Sequence, residues 1–127
     1  MKNAFSYVGT DYDKMDCYEL VRVVLLESFG IKVPKLEEHS PTPKVVGGQA
    51  LSDPHWVAVP YNDRQAGDVM ALSPTVIKPT EGVGHVGIVL HKLWVLHADK
   101  KYGAIIQDEA GLRRRGFIHR AVYRWQP

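Results

Sequence analysis

The chain contains one cysteine, Cys17, among its 127 residues. A single thiol excludes an internal disulfide and any zinc site built on several cysteines. No apolar run approaches the roughly 20 residues that a helix needs to span a bilayer. The N-terminal stretch Met1-Lys2-Asn3-Ala4-Phe5 passes straight into polar sequence, so no secretory signal is visible. Charge of neither sign dominates. Sixteen lysines and arginines stand against 14 acidic residues, a net of +2, which removes the electrostatic case for a nucleic-acid partner. Arg113, Arg114, Arg115, Arg120 and Arg124 read as a solvated turn and strand face, with a contact to an anionic glycan or nucleic acid as the alternative. Repeats and low-complexity segments are missing too. What remains, 45% hydrophobic and 24% charged residues, suits one globular domain over residues 1–127 with a single core.

The lone cysteine sits in Asp16-Cys17-Tyr18-Glu19-Leu20-Val21. Cys17, Leu20, Val21, Val24, Leu25 and Ser28 recur with helical spacing on one face. Asp16 suits the N-cap, and Glu19 is placed to close a capping box. Gly30 suits the left-handed residue that ends a helix, with Ile31 folding back. A helix is therefore expected over about 17–29. Unpaired backbone N–H groups and the positive end of the helix dipole favour thiolate over thiol in its first turn. That suits a nucleophile. It equally suits an inert core cysteine, since free cysteine is among the most buried residue types.

Pro34, Pro41, Pro43, Gly47, Gly48, Pro54 and Pro60 punctuate residues 32–66. This segment reads as a long irregular connection with a short helix near 45–51, and a loop of that length commonly walls a cleft. From Gly67 onward the pattern turns to strands, expected at 68–72, 85–90, 93–98, 104–107 and 121–125. The fold class is α+β, with the Cys17 helix packed on a small, mainly antiparallel sheet of about five strands.

Six histidines are available as a partner for the thiol. His39, His55, His91 and His119 read as solvated surface side chains. His85 and His97 lie on what look like two arms of one hairpin turning near His91-Lys92. With an odd-numbered loop centred on His91, His85 faces His97; with an even-numbered loop its partner is Ala98. Gly87 removes a side chain where a helix or a substrate must come close. Cys17, His85 and His97 would form the nucleophile, base and orienting residue of cysteine catalysis. The same three side chains are of the kind that bind zinc or copper, and a purely structural pair of histidines is a third reading.

Five blocks, in order, resemble the NlpC-type cell-wall cysteine peptidases: Asp16 to Val21, Gly30 to Pro34, Ala66-Gly67-Asp68-Val69, Gly84 to Val89, and Leu96-His97-Ala98. The likeness covers roughly residues 5–108. It implies a papain-like core with Cys17 as nucleophile, His85 as general base and His97 as the residue that orients His85. Tyr7 matches a tyrosine that positions substrate or hydrogen-bonds near the oxyanion, and Asp16 one that caps the helix or binds a substrate amine. The Cys17 N–H would be an oxyanion donor, and Asp68 a structural position. The resemblance implies no cofactor and no metal. The implied substrate is a peptidoglycan stem peptide, cut between D-glutamate and a diamino acid.

Two departures stand out. Glu19 replaces a small residue, where it either repels an anionic substrate and raises the thiol pKa or simply caps the helix. Tyr7-Val8-Gly9-Thr10 replaces the usual Tyr-x-Gly-Gly. The Asp16-Cys17-Tyr18 form and the following Val21-Arg22 are similar to a subgroup linked to bacteriophage tails. That likeness implies synthesis in the cytoplasm, action at the cell wall as a virion tail component, and phage tail proteins as partners. An amidase or acyl transferase on the same core, and a tail scaffold without activity, are the alternative functions.

Overall fold

The computed structural model describes residues 1–35, 53–74 and 84–127. The helix expected near 45–51 and His39 lie outside them. Helix α1 spans Cys17–Phe29, as its periodicity predicts. Asp16 caps it, Oδ1 accepting from the Glu19 N–H at 2.9 Å. The other half of the expected box does not form. The Glu19 carboxylate turns instead to Arg22, one bond running 3.0 Å to Nε. At the far end Gly30 adopts φ +68°, and the Ile31 N–H reaches back to the Leu25 carbonyl at 2.9 Å. This left-handed closure satisfies carbonyls that the last turn leaves open.

The strands are β1 (Trp56–Val59), β2 (Val69–Pro74), β3 (His85–His91), β4 (Trp94–Asp99), β5 (Gly103–Gln107) and β6 (Phe117–Trp125). They form one antiparallel sheet in the order β1-β6-β2-β3-β4-β5. The α+β expectation holds, with six strands where about five were expected. The additional strand, β1, lies inside the stretch read as an irregular connection. Pro54 and Pro60 bracket it closely and break the pattern. A short helix α2 (Glu109–Arg114), capped by Asp108, was not anticipated either. Strand β6 begins earlier than expected because the β2–β6 register shifts between Ala71 and Leu72. That irregularity disrupts the alternation which would have marked its first half.

Alternation along the sheet builds two apolar layers. Leu20, Val21, Val24 and Leu25 of α1 pack with Val69, Val86, Ile88 and Leu96 on one face. Met70, Leu72, Val89, Val95, Leu112 and Val122 make the other, joined by Phe117 and Tyr61. At roughly 1.5–3 kcal/mol for each large apolar side chain taken out of water, both layers matter to the fold, and α1 is held by one of them.

The β3–β4 hairpin corrects both expected registers. Gly87 pairs with His97, Val89 with Val95 and His91 with Trp94, with a shift between Val89 and His91. The turn is therefore Lys92-Leu93, and His97 lies opposite Gly87. What comes close at Gly87 is β4 itself: an added Cβ would stand 2.6 Å from Val95 Cγ1 and 3.2 Å from His97 Cβ.

The chain's beginning is tied to the β5 edge. Gly9 N–H donates to the Ala104 carbonyl at 2.8 Å, and Ala104 N–H to the Thr10 carbonyl at 2.9 Å. Gly103 makes this possible. It adopts φ +75°, and a Cβ there would lie 2.3 Å from the Thr10 oxygen. On the other side of the sheet, buried Asp68 takes Arg124 Nε at 2.8 Å and Nη2 at 2.9 Å, the structural role expected of it. The basic group is thus divided: Arg124 serves Asp68, and Arg115 pairs with Asp99 at 2.7 Å. His119 departs from the solvated reading by stacking on Tyr61 with ring centroids 3.9 Å apart. Among the described residues, no helix is long and apolar enough to cross a membrane.

Candidate active site

Cys17 is the first residue of α1 and is buried. Backbone hydrogen bonding from Val86, Tyr18 and its own N–H stabilises the thiolate, as the helix start suggests. Burial outweighs this, and with help from the Asp16 carboxylate it pushes the thiol up to about 11. The resting group is a thiol, contrary to the expectation of a readily formed thiolate. The physical reason is desolvation, which outweighs the backbone N–H contributions. Glu19 is not among the groups that act on Cys17; its charge is engaged by Arg22.

Val86, whose backbone meets the sulfur, directly follows His85 at the start of β3. His85 and His97 are both buried, and His85 Nε2 lies 2.9 Å from His97 Nδ1. They are not cross-strand partners, yet they share a face as diagonal neighbours, a distance long side chains bridge. Their rings pack with Phe117, which stacks on His85 at a centroid distance of 4.6 Å. That layer is opposite the one α1 covers, and what links the thiol to this strand is the backbone of Val86, the residue after His85. No hydrogen bond joins them among the described residues. Contacts of this kind are often loose in free enzymes and tighten with substrate bound.

Burial, and then the neighbouring His97, push the His85 imidazole down to about 3. Burial lowers His97 as well, while its bond to Gln107 opposes the shift. Both rings are therefore neutral near pH 7. Gln107, at the end of β5, accepts from His97 Nε2 through Oε1 at 2.8 Å. Gln107 escaped the sequence reading because only the β4–β5 register brings it to His97.

The structure separates the other two expected site residues. Asp16 stands beside the thiol, as its effect on Cys17 shows. Tyr7 does not. It is buried with its hydroxyl bonded to Glu27, near the opposite end of α1. Ten residues of helix, at about 1.5 Å each, divide that carboxylate from Cys17. The tyrosine near the site is Tyr12, whose hydroxyl feels burial and then the charges of Cys17 and Asp16. With His85, Asp99, Lys100, Arg115 and Phe117 it lines a cavity of about 330 Å³. A larger cavity of about 420 Å³ lies beside α2, Tyr61 and His119 and does not reach His85. Among the described residues, no cluster of three His, Cys, Asp or Glu side chains is arranged to hold a metal ion.

The arrangement can supply a sulfur nucleophile, a neutral imidazole with a hydrogen-bonded partner, and backbone N–H groups at a helix start for a developing oxyanion. The chain matches none of the curated proteins compared with it. The NlpC/P60 family model matches residues 2–121, a span containing every residue of this site. The family generally comprises cysteine peptidases and hydrolases of the cell wall, which agrees with the thiol and the paired imidazoles, and the chain belongs to the NlpC/P60 family.

Proposed function

We propose that the protein is a cysteine endopeptidase that hydrolyses an amide bond in peptidoglycan stem peptides, between D-glutamate and a diamino acid. The observation that carries this reading is the His85–His97 pair, 2.9 Å apart, at the strand end where the next residue's backbone meets the Cys17 sulfur. In the first step the thiol proton passes to His85 Nδ1 as the sulfur attacks the scissile carbonyl carbon. Because thiol and imidazole both rest neutral, proton transfer accompanies attack rather than preceding it. The backbone N–H of Cys17 holds the oxyanion. Collapse of the tetrahedral intermediate breaks the C–N bond, and His85 gives its proton to the leaving amine. His85 then takes a proton from water as its oxygen attacks the thioester, the C–S bond breaks to release the acid product, and the departing sulfur takes the proton back from His85 to restore the thiol. His97 holds the His85 ring throughout. The Asp16 carboxylate, beside the thiol, would meet a substrate amine.

On this reading the protein acts at the cell wall. The Asp16-Cys17-Tyr18 motif with Val21-Arg22 supports a bacteriophage tail as its carrier.

Digestion of purified peptidoglycan, followed by mass spectrometry of the fragments, tests the proposal. Wild type should open the D-glutamyl–diamino acid bond, and Cys17→Ala should leave the polymer intact while folding normally. Release at the muramoyl–alanine linkage would instead identify an amidase. Intact polymer after treatment with folded wild type would sink the peptidase reading in favour of a scaffold.

A further inference from the structure

Gln107 ends β5 opposite Val95, on the same sheet face as His97, which pairs with Ile105. Its Oε1 lies 2.8 Å from His97 Nε2, and His97 Nδ1 lies 2.9 Å from His85 Nε2. We propose that Gln107 is a positioning residue that sets the tautomers of both histidines and leaves Nδ1 of His85 as the bare, basic nitrogen. The inference rests on the peptidase reading above and adds to it the residue that polarises the base.

The logic is one of donors and acceptors. A carbonyl oxygen only accepts, so His97 Nε2 must carry hydrogen. A neutral imidazole carries one N–H, which leaves His97 Nδ1 bare. Two bare nitrogens cannot bond, so His85 Nε2 carries hydrogen and donates to His97. The remaining nitrogen of His85, Nδ1, is then a free lone pair. Both rings are buried in an apolar layer with Phe117, which disfavours the doubly protonated forms that would erase the distinction. Turning the amide by half a rotation would present its NH₂ to His97 and reverse every bond in the series. His85 would then hold its hydrogen on Nδ1 and lose its function as a base.

The amide is hemmed in by α2. A Cβ on Gly111 would lie 3.1 Å from Gln107 Cβ and 3.3 Å from its Nε2. The Gly111 N–H is itself fixed on Asp108 Oδ1 at 2.8 Å. Helix α2, otherwise remote from Cys17, thereby serves as a backstop for the residue that orients the bases.

Long-range ¹H–¹⁵N correlation spectra of the labelled protein near pH 7 read the tautomers directly. Both His97 and His85 should show protonated Nε2 and bare Nδ1. Hydrogen on Nδ1 of either ring would overturn the proposal. Kinetics give an independent readout. Gln107→Leu should lower kcat about tenfold with KM little changed, and its His97 should lose the uniform Nε2–H signature. Gln107→Glu keeps an acceptor, so it should preserve that signature and recover most of kcat. Equal kcat in wild type and Gln107→Leu, or equal loss in both variants, would also overturn it. The spectra do not depend on hydrolysis. Failure of the peptidase reading, seen as intact peptidoglycan with wild type, is thus distinct from failure of the tautomer assignment.

Discussion

His85 and His97 meet at 2.9 Å although the ladder pairs His97 with Gly87. The contact runs diagonally across β3 and β4, and the absence of a side chain at Gly87 lets the strands close beneath it. A Cβ at that position would press on Val95 and His97, so the glycine contributes to the geometry of the histidine pair.

Iodoacetamide should alkylate Cys17 slowly at neutral pH. With burial raising the thiol to about 11 and lowering His85 to about 3, the rate constant of the free protein should climb through pH 8–10 without an earlier plateau. A plateau reached below about pH 7 would demonstrate a resting thiolate–imidazolium pair and overturn the neutral-pair description.

Asp16 exerts two separable effects. Its Oδ1 caps α1, and its charge raises the thiol pKa. Asp16→Asn should keep the cap and make Cys17 more acidic, at little cost in stability. Asp16→Ala should acidify the thiol equally but destabilise the fold by about 1 kcal/mol. Urea unfolding paired with the alkylation profile separates the two, and an unchanged profile in both variants would refute the charge effect.

The two tyrosines should behave oppositely. Tyr12 borders the His85 cavity, so Tyr12→Phe should reduce kcat/KM with little change in unfolding midpoint. Tyr7 is bonded to Glu27. Tyr7→Phe should cost about 1 kcal/mol of stability and leave hydrolysis intact. Reversal of that pattern would assign the contact with substrate to Tyr7 and not to Tyr12.

Stability should fall on mild acidification. The ordinary histidine value is 6.5; His85 is lowered to about 3, and His97 is lowered too. Between those values the unfolded chain binds protons that the folded chain refuses. The His85 contribution is therefore complete above pH 6.5 and is lost as pH falls toward 3, by at most about 1.4 kcal/mol per pH unit, and His97 acts in the same direction. Urea midpoints measured from pH 7.5 to 4.5 should decline from near 6.5, and His85→Leu should flatten the slope. A flat wild-type profile between pH 6.5 and 5 would contradict the buried, neutral pair.

Helix α1 was legible to the residue because apolar spacing, Asp16 and Gly30 all act within one turn of its ends. Strands β2 to β5 were legible within a residue or two, since alternation and glycine breaks are local signals. The N-terminal half of β6 was hidden by a register shift that only its pairing with Ala71 and Leu72 reveals. Strand β1 was hidden by its flanking prolines, and α2 by its brevity. Cys17, His85 and His97 could be singled out from residue type and position. Their connection could not be, because a turn displaced to Lys92-Leu93 changes every partner in the hairpin. Gln107 and Tyr12 depend on tertiary placement alone. Glutamine and tyrosine carry no positional signal until β5 and the segment before α1 are docked.

The docking of Gly9 and Thr10 onto Ala104 also bears on how the molecule keeps to itself. A sheet border with open N–H and C=O groups recruits strands from other molecules. Here the β5 border is occupied by the chain's own first residues, held there by a glycine that admits no other side chain. Removing residues 1–10 would free both Ala104 backbone groups, and the shortened protein would be expected to form intermolecular β-structure more readily than the chain that keeps them.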